Sequence, residues 1–252
     1  MKIWAYAICW NEMEMLPYYF RHYETFCEKI IIYDNGSNDG SQEFVKAHPK
    51  GVLRTYDTQG QIRDDVYIKI KNNCWKEANG KADYVIVGDV DEFIYHPNIF
   101  KFLEEHRQFS IFKPAGWNMV SNKFPTTCGQ IYSEVRTGAH HGGQSKPMLF
   151  DPKRVKEIAF APGCHGLNKK KLDHKGKFWW FKNQGFDQIT SPIKMLHFKF
   201  MGMDYVYGRY QLMARRLSAV NRKHGWGFHY KKPRQWVQKE FDKWKQNSQK
   251  VV

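Results

Sequence analysis

The sequence predicts an α/β fold with a mostly parallel, doubly wound sheet and helices on both faces. Two observations support this prediction. Apolar runs of strand character alternate with helical patterns along the first part of the chain, an order that builds a parallel sheet. Polar clusters follow three of the predicted strands, at the strand ends where such sheets bind their ligands. With 252 residues the chain can form one substantial core, so a single domain is expected.

The alternation starts with the first residues of the chain. Short runs of β-branched and aromatic residues predict strands, and apolar residues at helical spacing predict helices between them. Pro17 lies near the first turn of the first helix, where proline is tolerated. The predicted strands are residues 3–8, 29–33, 51–56 and 84–87, and the predicted helices are residues 14–26, 42–48 and 64–79.

The fourth strand ends in three closely spaced carboxylates, Asp89, Asp91 and Glu92. Side chains of a strand alternate between its faces, so Asp89 and Asp91 point the same way if the strand geometry continues. Paired carboxylates suit Mg²⁺ or Mn²⁺, which can hold a diphosphate, whereas zinc prefers nitrogen and sulfur. A solvated acidic turn is the alternative interpretation of the same residues.

The first two strands also end in polar residues. Asn11 and Glu12 follow the first strand, and residues 34–41, which are dense in turn formers, follow the second. Ligands of a parallel sheet bind beyond the carboxyl ends of its strands. We therefore expect the three polar clusters to meet in one crevice.

These motifs resemble those of glycosyltransferases with the GT-A fold, which has a Rossmann-like sheet. The matching pieces are Asn11-Glu12, Asp34-Asn-Gly-Ser-x-Asp-Gly-Ser41 and Asp89-Val-Asp-Glu-Phe93. The chain is most similar to the family 2 type, in particular to its small bacterial and viral members with an Asp-x-Asp-Glu-Phe signature. The resemblance covers residues 1–100 and weakens beyond them. It implies an enzyme that uses a nucleoside-diphosphate sugar as donor.

A donor site is expected at Asn11, Glu12, Asp34, Asn35, Arg63 and Asp89. Asp34 could accept the imide N–H of a uracil or the amine of a guanine, or it could only form an Asx turn with Ser37. Asn35 supplies backbone freedom close to the base. Arg63 could bind a phosphate through its planar guanidinium, or could be an ordinary surface arginine at a helix start.

A Mn²⁺ or Mg²⁺ ion is expected at Asp89, Asp91 and His197. Asp91 is the expected direct ligand, whereas Asp89 would contact the metal through water or bind the ribose. The resemblance suggests His197, because GT-A enzymes often complete the metal site with a histidine from the C-terminal half. A neutral imidazole suits Mn²⁺. The alternative for His197 is a hydrogen-bonded histidine of the core.

Beyond residue 100 the pattern is less regular. Residues 115–118 are predicted as a turn near the sheet edge, and residues 120–147 as a loop on the acceptor side of the same sheet. The resemblance places Lys146-Pro147, His165 and His197-Phe-Lys199 at positions where such relatives carry a lysine, a histidine and His-Tyr-Lys. Further strands are predicted at residues 109–114, 148–150, 156–161 and 193–200, and a helix at residues 203–222.

The catalytic base is not assigned by the sequence. An inverting transferase needs a carboxylate or histidine near the acceptor hydroxyl, and a retaining mechanism stays open. His165 could instead contact the donor phosphate or the acceptor. The candidate bases are His165, Asp187 and Asp151, with Glu134 and Asp173 also open.

The chain is strongly basic, with 40 Lys and Arg against 25 Asp and Glu and a formal net charge of +15. Much of the excess lies late in the sequence beside aromatic residues, as in residues 178–181 and 226–230. Residues 233–245 predict an amphipathic helix, which could rest on anionic lipid, contact nucleic acid or pack on the core. Its apolar face would consist of Trp236, Val237, Phe241 and Trp244.

Three features bear on domains and location. No apolar segment is long enough to span a membrane, and Asn11 and Glu12 interrupt the first apolar stretch too early for a secretory signal. Five cysteines without a Cys-x-x-Cys pair suit a reducing cytoplasm. The expected location is the cytoplasm, with peripheral contact to the inner face of the membrane. The expected units are a GT-A domain at 1–225, divided into a nucleotide-sugar half (1–100) and an acceptor half (101–225), and a basic C-terminal extension at 226–252.

The expected function is metal-dependent transfer of a sugar, first of all from a UDP-sugar, to a hydroxyl of a surface polysaccharide or lipid-linked glycan. Transfer to hydroxymethylated bases of viral DNA is an alternative, because a protein of this charge should bind a polyanion. A non-enzymatic nucleic-acid-binding module is a second alternative. It leaves Asp34, Asp89 and Asp91 unexplained, since carboxylates in a binding groove repel phosphate.

Overall fold

The computed structural model describes residues 1–252 and contains a seven-stranded, a five-stranded and a two-stranded β-sheet. The strands are β1 (Ile3–Cys9), β2 (Lys29–Asp34), β3 (Gly51–Thr55), β4 (Tyr84–Asp89), β5 (Glu92–Tyr95), β6 (Phe109–Lys113), β7 (Ala115–Ser121), β8 (Thr137–His140), β9 (Leu149–Phe150), β10 (Val155–Glu157), β11 (Asp173–His174), β12 (Lys177–Trp180), β13 (Lys194–Met201) and β14 (Gln249–Lys250).

Eight α-helices accompany these strands. They are α1 (Leu16–Tyr23), α2 (Ser41–Ala47), α3 (Asp64–Asn73), α4 (Ile99–Glu105), α5 (Ile131–Glu134), α6 (Met203–Arg216), α7 (Ala219–His224) and α8 (Arg234–Gln246). Short 3₁₀ turns occur at Cys74–Ala78, Gly142–Gln144, Pro162–Cys164, Phe181–Gln184 and Phe228–Lys231.

The seven-stranded sheet has the order β12-β6-β9-β4-β1-β2-β3. The strands β1 to β4 are parallel, as the alternation of strands and helices predicts. β9 runs antiparallel to both of its neighbours, β4 and β6, and β12 is parallel to β6. The predicted α/β fold with a mostly parallel sheet is therefore confirmed.

Both faces of this sheet are covered. Ile3, Ala5 and Ala7 of β1 belong to a core cluster that includes residues of α1 and α4. Trp4 and Tyr6, which point to the opposite face, pack in a second cluster with the 3₁₀ turn that follows α3. The same alternation continues in β2 and β4. Strands buried on both faces explain why their sequences are almost continuously apolar.

The five-stranded sheet corrects the predictions for the second half of the chain. Its order is β14-β8-β7-β13-β5, so the predicted acceptor half does not simply extend the first sheet. Residues 115–118, predicted as a turn, lie in β7, which pairs with β8 and β13. The predicted loop at 120–147 contains α5 and β8. Gly116 suggested a turn, but it is a glycine for another reason. Its N–H donates to Ser145 Oγ, and the backbone at Ser145 lies so close that no side chain fits at position 116.

Only Val90 and Asp91 separate β4 of the large sheet from β5 of the second sheet. The chain therefore passes from one sheet to the other inside the acidic run. β13 pairs with both β5 and β7, and this register places His197 between Glu92 and Asn118.

The C-terminal segment packs on the five-stranded sheet. Val237 and Phe241 of α8 are buried in a small cluster with Val120 and Phe200, and β14 pairs with β8. The apolar face of α8 thus contacts the protein core. None of the helices combines the length and the apolar character that crossing a membrane requires.

Candidate active site

A cavity of about 530 Å³ opens at the carboxyl ends of β1 and β4, where the sequence predicts a ligand crevice. One face of α3 and one face of α6 form two of its walls, and residues 225–230 form part of its rim. Glu12, Asp89 and Asp91 all line it, so two of the three predicted polar clusters do meet in one crevice.

Asp91 and His197 form the central pair of this cavity. His197 Nε2 lies 3.2 Å from Asp91 Oδ2, and its Nδ1 lies 3.0 Å from Asn118 Oδ1. Because the amide oxygen of Asn118 can only accept, Nδ1 carries a hydrogen, and Nε2 is the ring nitrogen that faces the Asp91 carboxylate. Burial would raise the pKa of Asp91, but His197, Lys146 and Lys199 hold it well below its usual range. Asp91 is thus an anion.

Glu92 supports this pair from behind. Its Oε1 forms a fully buried ion pair with Lys146, and its Oε2 accepts the Asp89 N–H at 3.2 Å. Burial disfavours the charged form of Lys146, but the Glu92 carboxylate raises the lysine pKa above its usual value. Both oxygens of Glu92 are therefore engaged within the protein.

Asp89 is held by Lys71, whose Nζ lies 2.6 Å from Asp89 Oδ1. The lysine side chain is only 7% exposed. Burial alone would lower its pKa, but Asp89 raises it above the ordinary value, so Lys71 stays cationic. The other oxygen of Asp89, Oδ2, accepts no hydrogen bond from the protein and is free for a ligand.

Glu12 is bound by a residue from the other half of the chain. Arg209 of α6 donates to the Glu12 carboxylate and, at 3.0 Å, to the carbonyl of Asn11. Asn11 has a positive φ of 50°, which turns the chain sharply after β1. This turn presents both acceptors to α6 and closes the cavity on that side.

Two cations of the cavity lack an acidic partner. Lys199, two residues beyond His197 on the same face of β13, forms no ion pair. Arg216 is 8% exposed, its Nε donates to the Gly60 carbonyl, and its buried Nη2 has no hydrogen-bond partner. Its guanidinium stacks on Trp10, 3.2 Å from the ring centroid. Arg216 lines the cavity without an acidic partner, so this end of the cavity favours a ligand that carries negative charge.

The remaining predicted donor residues lie away from the cavity wall. Asp34 is buried and accepts hydrogen bonds from Ser37 and Gln42, as the Asx-turn interpretation expects. Asn35 is hydrogen-bonded to Thr58, and Arg63 forms an ion pair with Asp65. Their contacts with a donor nucleotide stay predictions.

Of the candidate bases, only His165 lines the cavity. Its Nδ1 donates to the Gly143 carbonyl at 2.6 Å, and the residue is exposed. Partial desolvation and the charge of Lys146 lower its pKa, so its Nε2 is an available base. The others are engaged elsewhere. Asp151 pairs with Arg154, Asp187 caps the N–H groups of Ile189 and Thr190, Glu134 accepts from Thr126 and Thr127, and Asp173 lies in β11.

The donor set at this site fits a divalent cation. Asp91, Glu92 and His197 offer ligand atoms within 4.8 Å of one another, but Lys146 already neutralises Glu92. Asp91 Oδ2 and His197 Nε2 lie 3.2 Å apart, and a divalent cation bound to both would take the place of the hydrogen between them. Asn118 fixes the histidine as carbonyl groups commonly do for metal-binding imidazoles. Asp89 is not a member of this group, and its role as a ligand stays a prediction.

Several cavity residues were not predicted, namely Trp10, Lys71, Arg209 and Arg216. The helical spacing of the sequence could have identified three of them, Lys71, Arg209 and Arg216. Asp64, Tyr67, Ile68 and Lys71 recur at i, i+3, i+4 and i+7 along α3, and all four line the cavity. On α6 the series Val206, Arg209, Tyr210, Met213 and Arg216 does the same. Polar residues spaced in this way mark a helix face that borders a site rather than solvent.

Comparisons with known proteins give no family. No protein-family model and no curated protein sequence matches this chain. Among solved structures, TarS of S. aureus is similar over 96% of this chain and 43% of its own, with 15% identity and a TM-score of 0.41. This chain therefore spans less than half the length of TarS.

Two further solved structures have lower scores. A mycobacterial protein is 16% identical, with a TM-score of 0.32 over 46% of this chain and 41% of its own. The 4-diphosphocytidyl-2C-methyl-D-erythritol synthase of Anaerococcus prevotii is 12% identical, with a TM-score of 0.33 over 60% of this chain and 70% of its own.

Proposed function

We propose that this protein is a glycosyltransferase that moves a sugar from a nucleoside-diphosphate donor, in the first instance a UDP-sugar, to a hydroxyl group of a glycan. The observation that carries the proposal is the Asp91–His197 pair, set among lysines and arginines at the carboxyl ends of β1 and β4. A cavity of this kind offers fixed positive charge and a cation position for a diphosphate leaving group.

Asp91 and His197 would hold Mn²⁺ or Mg²⁺, with Asp89 acting through a water molecule or on the ribose. When bound, the ion would supply electrostatic stabilisation of the diphosphate, worth several kcal/mol. Lys199 has no acidic partner and would bind a phosphate oxygen. Arg216 lies two helical turns along α6 from Arg209, roughly 10 Å away at 1.5 Å per residue, and it stacks on Trp10. These two side chains would contact the nucleoside end of the donor.

His165 is the proposed base, because it alone among the candidates faces the cavity. Its Nε2 would accept the proton of the acceptor hydroxyl as the hydroxyl oxygen bonds to the anomeric carbon. The bond between that carbon and the diphosphate breaks, and the nucleoside diphosphate leaves with the electron pair. The Gly143 carbonyl holds the ring in the required tautomer.

Calorimetric titration with UDP, GDP and CMP, each with Mn²⁺ and again with EDTA, tests this proposal. One nucleoside diphosphate should bind only with metal, and Asp91→Asn should abolish that binding. Asp151→Asn, which changes a carboxylate outside the cavity, is the matched control and should bind as wild type does. Absence of nucleotide binding by the folded protein would refute the proposal. UTP and CTP are titrated in the same way, and tighter binding of either triphosphate would indicate a nucleotidyltransferase instead.

A further inference from the structure

A second cluster of cations lies outside the cavity, at the β12 edge of the seven-stranded sheet. Trp180 of β12 is the register partner of Lys113 in β6. Lys113 Nζ lies 4.8 Å from the centroid of the Trp180 ring, and Lys182 Nζ lies 5.6 Å from the same centroid. Two ammonium groups therefore flank one indole.

Neither lysine has a counter-ion. The ion pairs of the chain include neither Lys113 nor Lys182, and neither Nζ makes a hydrogen bond within the chain. Lys113 is half-buried, and both burial and the charge of Lys182 lower its pKa. Two mutually repelling cations held at one ring by the backbone form a position that an anion would stabilise.

The same cluster connects to the cavity. Lys113 and Trp180 lie at the carboxyl ends of β6 and β12, and Asp89 lies at the carboxyl end of β4. Because β9 is antiparallel to both β4 and β6, and β12 is parallel to β6, these three strand ends lie at the same edge of the sheet. β12 is three strand positions from β4, about 14 Å at the usual spacing between strands. A ligand of several sugar units could thus contact the Trp180 cluster and still reach the cavity.

We propose that Lys113, Trp180 and Lys182 form an acceptor subsite that binds an acidic glycan, a sugar chain carrying carboxylate or phosphate groups. The exposed part of the half-buried indole can pack against a sugar ring, and the two ammonium groups beside it meet an anionic substituent of that sugar. The role as acceptor subsite rests on the proposed glycosyl transfer, whereas the binding itself does not.

The arrangement favours a glycan over a nucleic acid. Binding of a single strand uses successive aromatic side chains on which neighbouring bases stack. Here Trp179 and Phe181 on either side of Trp180 are buried in the core, and the partly exposed Phe178 packs against the second core cluster, whereas Trp180 packs against the first. A single platform with two cations matches one charged sugar unit.

The test measures binding of fluorescent oligogalacturonate, phosphomannan, neutral dextran and a 15-nucleotide poly-dT by anisotropy. The wild type should bind one of the two acidic glycans and not dextran. Lys113→Gln/Lys182→Gln should weaken that binding about tenfold or more. Lys46→Gln/Lys69→Gln, which removes the same charge from exposed unpaired lysines on α2 and α3, should leave it unchanged. Preference for carboxylate or phosphate identifies the anionic group.

Three results would overturn the proposal: equal loss in both double variants, equal binding of dextran, or tighter binding of poly-dT that the patch substitutions abolish. Binding of UDP with Mn²⁺ by the patch variant shows that the fold and donor site are intact. A wild type that binds acidic glycan but no nucleotide would refute the proposed transferase and keep the glycan site, so the two failures are distinguishable.

Discussion

His197 Nε2 lies 3.2 Å from Asp91 Oδ2, while Asn118 binds the opposite nitrogen of the ring. The three residues come from the link after β4, from β13 and from β7. The three residues are far apart in sequence, and the register of the five-stranded sheet brings them together.

Asn118→Leu should weaken binding of Mn²⁺ about 10- to 100-fold, because the histidine loses the group that fixes its orientation. Titration with Mn²⁺ alone, followed by calorimetry or by the electron paramagnetic resonance of the free ion, measures this change. Asn72→Leu is the control. It also removes a hydrogen-bonded side-chain amide, but that amide bonds the backbone of Phe160 and not a proposed metal ligand. Unchanged Mn²⁺ affinity in Asn118→Leu would argue against His197 as a ligand.

Arg216→Met should lower nucleotide affinity about tenfold or more, since a ligand loses a charged hydrogen-bond donor. Arg215→Met is the matched control, because this neighbouring arginine is exposed and does not line the cavity. Titration with the nucleotide that binds best measures both. Equal effects of the two substitutions on affinity would contradict the proposal that Arg216 contacts the nucleoside.

Lys146→Met should destabilise the protein by about 3–5 kcal/mol, because it leaves the buried Glu92 carboxylate without a partner. The double substitution Glu92→Leu/Lys146→Met should cost less than the sum of the two single changes. Urea unfolding gives the free energies. Removal of the exposed Lys76–Glu157 pair should change stability little. If it cost as much as Lys146→Met, burial of the Glu92–Lys146 pair would not be the cause of the loss.

His22 predicts a loss of stability in acid. The ring is buried, its Nε2 donates to the Ile94 carbonyl, and burial lowers its pKa to about 4. The unfolded chain binds a proton near pH 6.5 and the folded chain does not until about pH 4, so stability falls as the pH drops through this window, by about 3 kcal/mol.

Urea unfolding between pH 7 and pH 4 measures this effect. His22→Gln, which can still donate to Ile94, should show a shallower dependence than the wild type. His224→Gln changes an exposed histidine and should leave the dependence as it is. Parallel curves for wild type and His22→Gln would contradict the assignment of this loss to His22.

Gly116→Ala should destabilise the protein by about 1–3 kcal/mol. A Cβ at this position would lie 2.1 Å from the backbone carbon of Gln144 and 2.3 Å from the Ser145 nitrogen. Gly208, inside α6, has open space around it, so Gly208→Ala should stabilise by about 0.5–1 kcal/mol. Thermal and urea unfolding of the two variants provide the comparison.

The sequence predicted the parallel sheet because its apolar runs and helical patterns are local signals. It also predicted that Asp91 lies in the crevice, because acidic residues that follow a buried strand are recognisable without tertiary information. Whether His197 joins Asp91, and whether Lys146 meets Glu92, depends on pairings between distant strands that have no local signal. Residues 115–118 were predicted wrongly for the same reason, since Gly116 suggests a turn unless its packing neighbour is known.

The link Val90–Asp91 has a mechanical consequence. Asp89 ends a strand of one sheet, whereas Asp91 and His197 are anchored to the other through the Phe198 N–H bond to the Asp91 carbonyl. The spacing between the two carboxylates therefore depends on the angle between the sheets. A cation shared by Asp89 and Asp91 would cross-link them, and a substitution in the packing between the sheets could change ion affinity without altering any ligand.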